Sequence, residues 1–234
     1  MKFKNKKYIF LIIVGILILS ILVINMYGNQ KQLTNKIRYV ALGDSYTIGE
    51  GANQGEDWPT LLTNDLQSKG VNIELIADPS VTGWTTQQLI DNELQIYNSS
   101  HPTFATLLIG VNDWVQGVSA NAFKKNLNYI IDHMEIKLPN KKRLVLITIP
   151  DFSVTPTGQQ FSNGRDIAKG IAEFNSIIKE EAKTRGLSVV DIYPLTQHMK
   201  DNPDLIADDG LHPSAKEYRL WEQMILPVAY SVIK

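Results

Sequence analysis

The chain has 234 residues, 44% of them hydrophobic and 20% charged, which suits one globular domain with an appendage. It contains no cysteine, which excludes disulfides, thiolate catalysis, cysteine-ligated zinc and a cysteine-linked lipid anchor. The formal net charge is −1, and setting aside Lys2, Lys4, Lys6 and Lys7 leaves −5 on the remainder, so the charge balance gives no reason to expect nucleic-acid binding.

Residues 1–7 form a basic region. Tyr8 to Gln30 then carries no charge, and Ile9–Ile24 is almost entirely Ile, Leu, Val and Phe. About 20 apolar residues span a bilayer as a helix. Residues 8–27 are therefore expected to be a transmembrane signal-anchor. The lysines stay in the cytoplasm by the positive-inside rule, which sends the rest of the chain outward. The rival is a cleaved signal peptide, leaving a secreted protein. Against it, the apolar core exceeds the usual roughly 7–15 residues and no A-x-A cleavage pattern follows. Residues 28–36 read as a polar spacer, and 37–234 as the functional domain.

From Ile37 onward, short apolar runs alternate with longer amphipathic ones. Strands are predicted at Ile37–Leu42, Val71–Ala77, Phe104–Ile109, Arg143–Ile149 and Leu187–Ile192. The third and fourth are continuous apolar runs, as in a parallel sheet covered on both faces. Helices are predicted at Trp58–Ser68, Thr86–Tyr97, Ala120–Leu138, Arg165–Arg185 and Ala215–Val232. Thr85-x-x-Gln88 and Ser214-x-x-Glu217 read as capping boxes, and Pro227 is expected to kink the last helix. Five strand–helix alternations argue for a doubly wound α/β domain. The longest loop, 150–164, is expected to form a rim or lid.

Ligands of open α/β sheets bind beyond the carboxyl ends of the strands. Ser45 follows the first strand, Gly83 the second, Asn112 the third, and the Asp209–His212 loop the fifth. The topology therefore gathers these distant residues on one sheet edge. A serine hydroxyl needs a neighbouring base, here His212, and the base needs a carboxylate to orient it. Asp209 stands three residues before His212; Asp208 is the adjacent alternative. The oxyanion donors expected are the backbone N–H groups of Ser45 and Gly83 and the side-chain amide of Asn112. Each island alone has an ordinary meaning as a turn or helix cap. Their conjunction is what points to a serine hydrolase.

Other chemistries find less support. His101 lies in a loop and His133 within a helix. His198, Asp204 and Asp208 lack metal-ligand spacing, so no metal site is expected. No phosphate-binding glycine motif is present. There is no G-x-S-x-G either, which argues against the common α/β-hydrolase elbow.

The runs Ala41-Leu42-Gly43-Asp44-Ser45-Tyr46-Thr47, Val81-Thr82-Gly83-Trp84, Gly110-Val111-Asn112-Asp113 and Asp209-Gly210-Leu211-His212-Pro213 occur in this order. Together they resemble the four blocks of the SGNH hydrolases, the GDSL esterase/lipase family, over about residues 37–232. One departure is that no asparagine precedes Gly83. The resemblance implies a three-layer α/β/α sandwich with a five-stranded parallel sheet, flavodoxin-like in type. It implies Ser45 as nucleophile, Asp209 and His212 as its partners, and Gly83 and Asn112 as oxyanion donors. It also implies ester or thioester hydrolysis through an acyl-enzyme, without metal or cofactor.

The substrate expected is a small-molecule, lipid or glycan ester. Lipase- or lysophospholipase-like hydrolysis leads, ahead of carbohydrate or peptidoglycan O-deacetylation or acyl transfer. A non-catalytic surface binding module is the remaining alternative. Tyr46, Trp84 and Trp114 are candidates for substrate contact; the two tryptophans would otherwise pack in the core.

Overall fold

The computed structural model describes residues 14–24 and 36–234. Residues 14–24 are helical. The rest of the expected 8–27 span, the basic region and nearly all of the spacer lie outside the described residues. Among the described residues, no helix is long and apolar enough to cross a membrane.

Residues 37–234 form one compact unit, described here by itself. Its strands are β1 (Ile37–Gly43), β2 (Ile73–Ala77), β3 (Phe104–Leu108), β4 (Leu144–Ile147) and β5 (Ser188–Val190). They pair in parallel in the order β2-β1-β3-β4-β5. Every residue of β3 and β4 is buried, as their unbroken apolar runs require of strands covered on both faces. Just beyond β4 the Asn175 amide takes over the backbone of Ile149. Its Oδ1 accepts from Ile149 N–H at 2.7 Å and its Nδ2 donates to Ile149 C=O at 2.8 Å.

The helices are α1 (Ser45–Ile48), α2 (Trp58–Ser68), α3 (Thr86–Gln88), α4 (Leu94–Ser100), α5 (Val111–Val115), α6 (Ala120–Lys137), α7 (Ile167–Arg185), α8 (Tyr193–Thr196) and α9 (Ala215–Ile233). With right-handed crossovers, α2 and α9 pack together on one face of the sheet. On the other face α6 packs against both α4 and α7. On that second face Phe123 and Phe174 stack at 4.3 Å. The result is the expected three-layer α/β architecture.

Two local readings need correction. The predicted Thr86–Tyr97 helix is three pieces: α3, a π-helical turn at Leu89–Glu93, and α4. Its capping box between Thr85 and Gln88 is present. The box at Ser214 is only half made. Ser214 caps Glu217 N–H, but the Glu217 carboxyl turns inward and accepts from Trp221 Nε1 at 2.7 Å. Pro227 lies inside α9, which continues to Ile233.

Candidate active site

β1 and β3 are neighbours whose crossovers lead to opposite faces, and the crevice beyond their carboxyl ends receives the site. β1 delivers Ser45 at the start of α1. Asp44 is the N-cap of that helix, its Oδ1 accepting from Tyr46 N–H at 3.1 Å. Gly43 must be glycine here, because a Cβ would stand 2.1 Å from Thr47 Oγ1 and 2.4 Å from Leu108 O. Ser45 is thus held on a turn packed tightly against β3.

His212 Nε2 lies 3.1 Å from Ser45 Oγ, and His212 Nδ1 lies 2.6 Å from Asp209 Oδ2. Asp209 and His212 share one loop, 3 residues apart, and Ser45 lies 167 residues before His212. Asp209 Oδ1 also accepts from the backbone N–H groups of Leu211 and His212 at 2.8 and 2.9 Å, an Asx-type turn that presets the loop. Partial burial works against the Asp209 carboxylate. The bond from His212 and the two amides outweigh it and hold the carboxyl below its ordinary pKa. Asp208, the alternative partner, does not take this position.

The His212 loop is braced on both sides. A bridge between Ile206 and Pro213 closes its base. From the 150–164 segment, Thr157 N–H donates to Gly210 O at 2.9 Å and Thr157 Oγ1 donates to Asp209 O at 3.0 Å. That segment is therefore bonded directly to the histidine loop, and it forms part of the rim.

Gly83 is the third residue of a turn closed by Trp84 N–H donating to Val81 O. Its φ is +82°, while a Cβ there would meet nothing within 4 Å. Backbone conformation, not crowding, asks for glycine. Asn112 Nδ2 donates to Trp84 O at 3.0 Å, and Gln116 Nε2 donates to Gly83 O at 3.3 Å. On the other side, Thr82 Oγ1 hydrogen-bonds Glu50 Oε2. The Gly83 turn is thus tied to both the β1 and the β3 loops.

Ser45 and His212 open into a small cleft. Its apolar wall is Val111, Val115, Phe152, Phe161 and Leu211, with Tyr46 and Asn112 completing it. It encloses about 70 Å³, against ~300–1,000 Å³ for a drug-sized ligand pocket. Tyr46 also packs edge-on against His212 at 5.8 Å.

Trp114 does not reach the cleft. It is 5% exposed, edge-on to Phe152 and covered by the Arg165 guanidinium at 4.1 Å. Val111 and Val115, flanking it on the same short helix, face the cleft instead. Trp84 is half-buried and contributes its carbonyl to the Asn112 bond rather than a cleft wall.

Further residues complete the site. Phe152 and Phe161 come from the rim segment. Arg165 donates to Trp114 O at 2.6 Å and Val115 O at 2.9 Å, closing the carbonyl end of α5. Asp113 is buried and accepts from Thr86 N–H at 2.8 Å and from Thr86 Oγ1, locking α5 to α3. Burial raises the Asp113 pKa, and the Thr86 bonds oppose it. Among the described residues no group of three or more His, Asp or Glu could hold a metal ion, so His198, Asp204 and Asp208 form no ligand set.

The family model described as GDSL-like Lipase/Acylhydrolase matches residues 41–220. An arylesterase of Vibrio mimicus is 23% identical over 84% of this chain and 88% of its own. Thioesterase 1/protease 1/lysophospholipase L1 of Escherichia coli K12 is 24% identical over 74% of each chain. The crystal structure of an acetylxylan esterase from Geobacillus stearothermophilus superposes with TM-score 0.63 at 17% identity, covering 84% of this chain and 94% of that one.

Proposed function

This chain belongs to the GDSL-like lipase/acylhydrolase family and is an ester-bond hydrolase; we propose that it is a serine esterase working through an acyl-enzyme. The support is the continuous hydrogen-bond chain from Ser45 through His212 to Asp209, at 3.1 and 2.6 Å. In this reading Ser45 Oγ attacks the acyl carbonyl while His212 Nε2 takes its proton. Asp209 holds the other ring N–H and stabilises the imidazolium. The same proton passes to the departing alcohol. Water then attacks the acyl-enzyme with His212 again as base, releasing the acid and restoring Ser45.

The oxyanion is assigned to three donors. The first N–H groups of a helix have no intrahelical acceptor, which leaves Ser45 N–H at the start of α1 available. Gly83 N–H sits in the adjoining turn. Asn112 Nδ2 has two hydrogens, and the bond to Trp84 O uses one of them.

The acyl group is assigned to the cleft of Val111, Val115, Phe152, Phe161 and Leu211. Its compactness favours short acyl groups, which brings in a second reading: removal of acetyl groups from a glycan, the class of reaction named for the Geobacillus neighbour. Membrane tethering with the domain outside the cytoplasm remains part of the proposal. It is supported by the uncharged Tyr8–Gln30 run behind four lysines. Fractionation and protease protection of tagged cells test that part. Recovery of the whole domain in the medium would replace the anchor with a cleaved signal.

The deciding experiment is a p-nitrophenyl ester series from acetate to palmitate on the purified protein and its Ser45→Ala variant. Serine-dependent turnover is expected, with its optimum among the short chains. Equal turnover by the folded variant would overturn the mechanism.

A further inference from the structure

β1 overhangs its neighbour. Pairing between β1 and β2 ends at Val40 opposite Ala77, whereas pairing with β3 continues to Gly43 opposite Leu108. The end of β1, which leads into the nucleophile turn, therefore has no strand beside it on the β2 side. The Glu93 carboxyl stands there: Gly43 N–H donates to Glu93 Oε2 at 3.1 Å. Glu93 closes the π-helical turn Leu89–Glu93 and is fully buried. A π turn inserts an extra residue into a helix and re-aims the side chains after it, often at functional sites.

The surroundings of this carboxyl are unusual for an acid. Glu93 Oε1 has no hydrogen-bond partner, and neither has Asp44 Oδ2; both atoms are buried. The charged groups acting on Glu93 are carboxyls, Asp78 from the loop after β2 and Asp44 from the turn after β1. Burial pushes Glu93 up to about 9, against the Gly43 bond, and pushes Asp44 up to about 8. Around neutral pH an un-ionised Glu93 accepts through its carbonyl oxygen, so Glu93 itself adds no buried charge without a counter-ion.

We propose that Glu93 is a positioning residue for the nucleophile: its carboxyl replaces the strand acceptor that β2 does not supply, and so fixes the Gly43-Asp44-Ser45 turn under His212. This rests on Ser45 being the nucleophile. It adds a residue outside the four sequence blocks, and it gives the π turn a purpose. Glu93 touches no reacting atom and acts only through the backbone of Gly43. When Glu93 ionises at alkaline pH its bond from Gly43 strengthens, but the buried anion then repels the Asp44 and Asp78 carboxyls, and that repulsion disturbs the turn.

The test uses the full-length protein, Glu93→Gln, which keeps a carbonyl acceptor, and Glu93→Leu, which removes it, with Ser45→Ala as the blank. Initial rates on a short p-nitrophenyl ester are measured across pH together with thermal melts. Glu93→Leu is expected to lower kcat about ten- to a hundredfold with little change in KM, the pattern of a misplaced reacting group. Glu93→Gln is expected to keep kcat near neutral pH and to carry its activity further into the alkaline range than the wild type.

Wild-type kcat in Glu93→Leu, a loss carried only by KM, or a Glu93→Gln variant as impaired as Glu93→Leu would each overturn the proposal. If Glu93→Leu does not fold, Glu93→Gln decides: an alkaline limb coincident with that of the wild type refutes the role. If the wild type shows no serine-dependent turnover, the esterase reading fails instead. Exchange of the Gly43 amide proton then still reports on Glu93. It should be slow in the wild type and Glu93→Gln and fast in Glu93→Leu; slow exchange in Glu93→Leu would refute the bond.

Discussion

Asp209 grips His212 by ring and backbone together: Oδ2 meets Nδ1 at 2.6 Å while Oδ1 accepts His212 N–H at 2.9 Å. The backbone bond fixes the loop, and the ring bond fixes which nitrogen faces Ser45. Both favour the carboxylate, but the backbone bond needs only an oxygen acceptor, whereas the ring bond needs an acceptor at the second position as well. Asp209→Asn is therefore expected to fold normally, since an amide oxygen still serves the backbone amides. It should lower kcat by roughly 10²–10⁴ by disturbing the imidazole tautomer and leaving the imidazolium without its counter-charge. Steady-state kinetics beside a thermal melt checks both halves. A variant with wild-type kcat would assign the role elsewhere, with Asp208 the first candidate.

The cleft wall gives a prediction about selectivity. Phe161 is a half-buried rim residue, whereas Phe152 is 3% exposed and packs on Trp114. Phe161→Ala should therefore open the cleft at little cost in stability, while Phe152→Ala should cost about 3–5 kcal/mol as a core truncation. The p-nitrophenyl ester optimum of Phe161→Ala is expected to move toward longer acyl chains. An unchanged optimum would place the acyl group outside this cleft.

Gly170 reverses an ordinary expectation. In a helix interior, Gly→Ala stabilises by up to about 1 kcal/mol. Here a Cβ would stand 1.7 Å from Trp114 Nε1 and 2.4 Å from Cε2. The indole has little room to yield, being held between Phe152 and the Arg165 guanidinium. Gly170→Ala should thus destabilise by about 1–3 kcal/mol, and it should disturb α5, which carries Asn112. Urea denaturation gives the sign directly.

Much of this was legible in the sequence, for reasons specific to each part. β3 and β4 showed as continuous apolar runs because both faces of a parallel sheet are covered. The sheet edge then gathered Ser45, Gly83, Asn112 and the Asp209–His212 loop without any knowledge of contacts. What escaped was short or irregular. α1 and α5 have four and five residues, too few to show a helical period. For that reason the direction of Trp114 could not be read, and Val111 and Val115 were not recognised as cleft wall. Glu93 looked like a polar residue on an amphipathic helix, because the π turn that buries it leaves no mark in the periodicity. Phe152, Phe161 and Arg165 lie in or at the end of a loop, where only the fold decides what they touch.

Glu217 offers a pH dependence whose sign can be worked out. Its side chain is fully buried, Oε1 accepts from Trp221 Nε1, and Oε2 has no partner. Burial, opposed by the Trp221 bond, pushes its pKa from 4.5 up to about 7. A folded-state pKa above the unfolded value means that the native fold prefers the protonated acid. The associated stability is fully present below about pH 4.5, declines as the unfolded chain ionises, and is lost as pH passes about 7. Glu217→Gln keeps the acceptor for Trp221 and cannot ionise. Its melting temperature relative to the wild type should therefore rise with pH. The difference should be small near pH 4.5 and favour the variant by a few degrees near pH 8, where the wild type must hold a buried carboxylate or take up a proton to fold. Parallel melting curves for the two proteins would refute this account, because they would show that Glu217 binds its proton equally in both states.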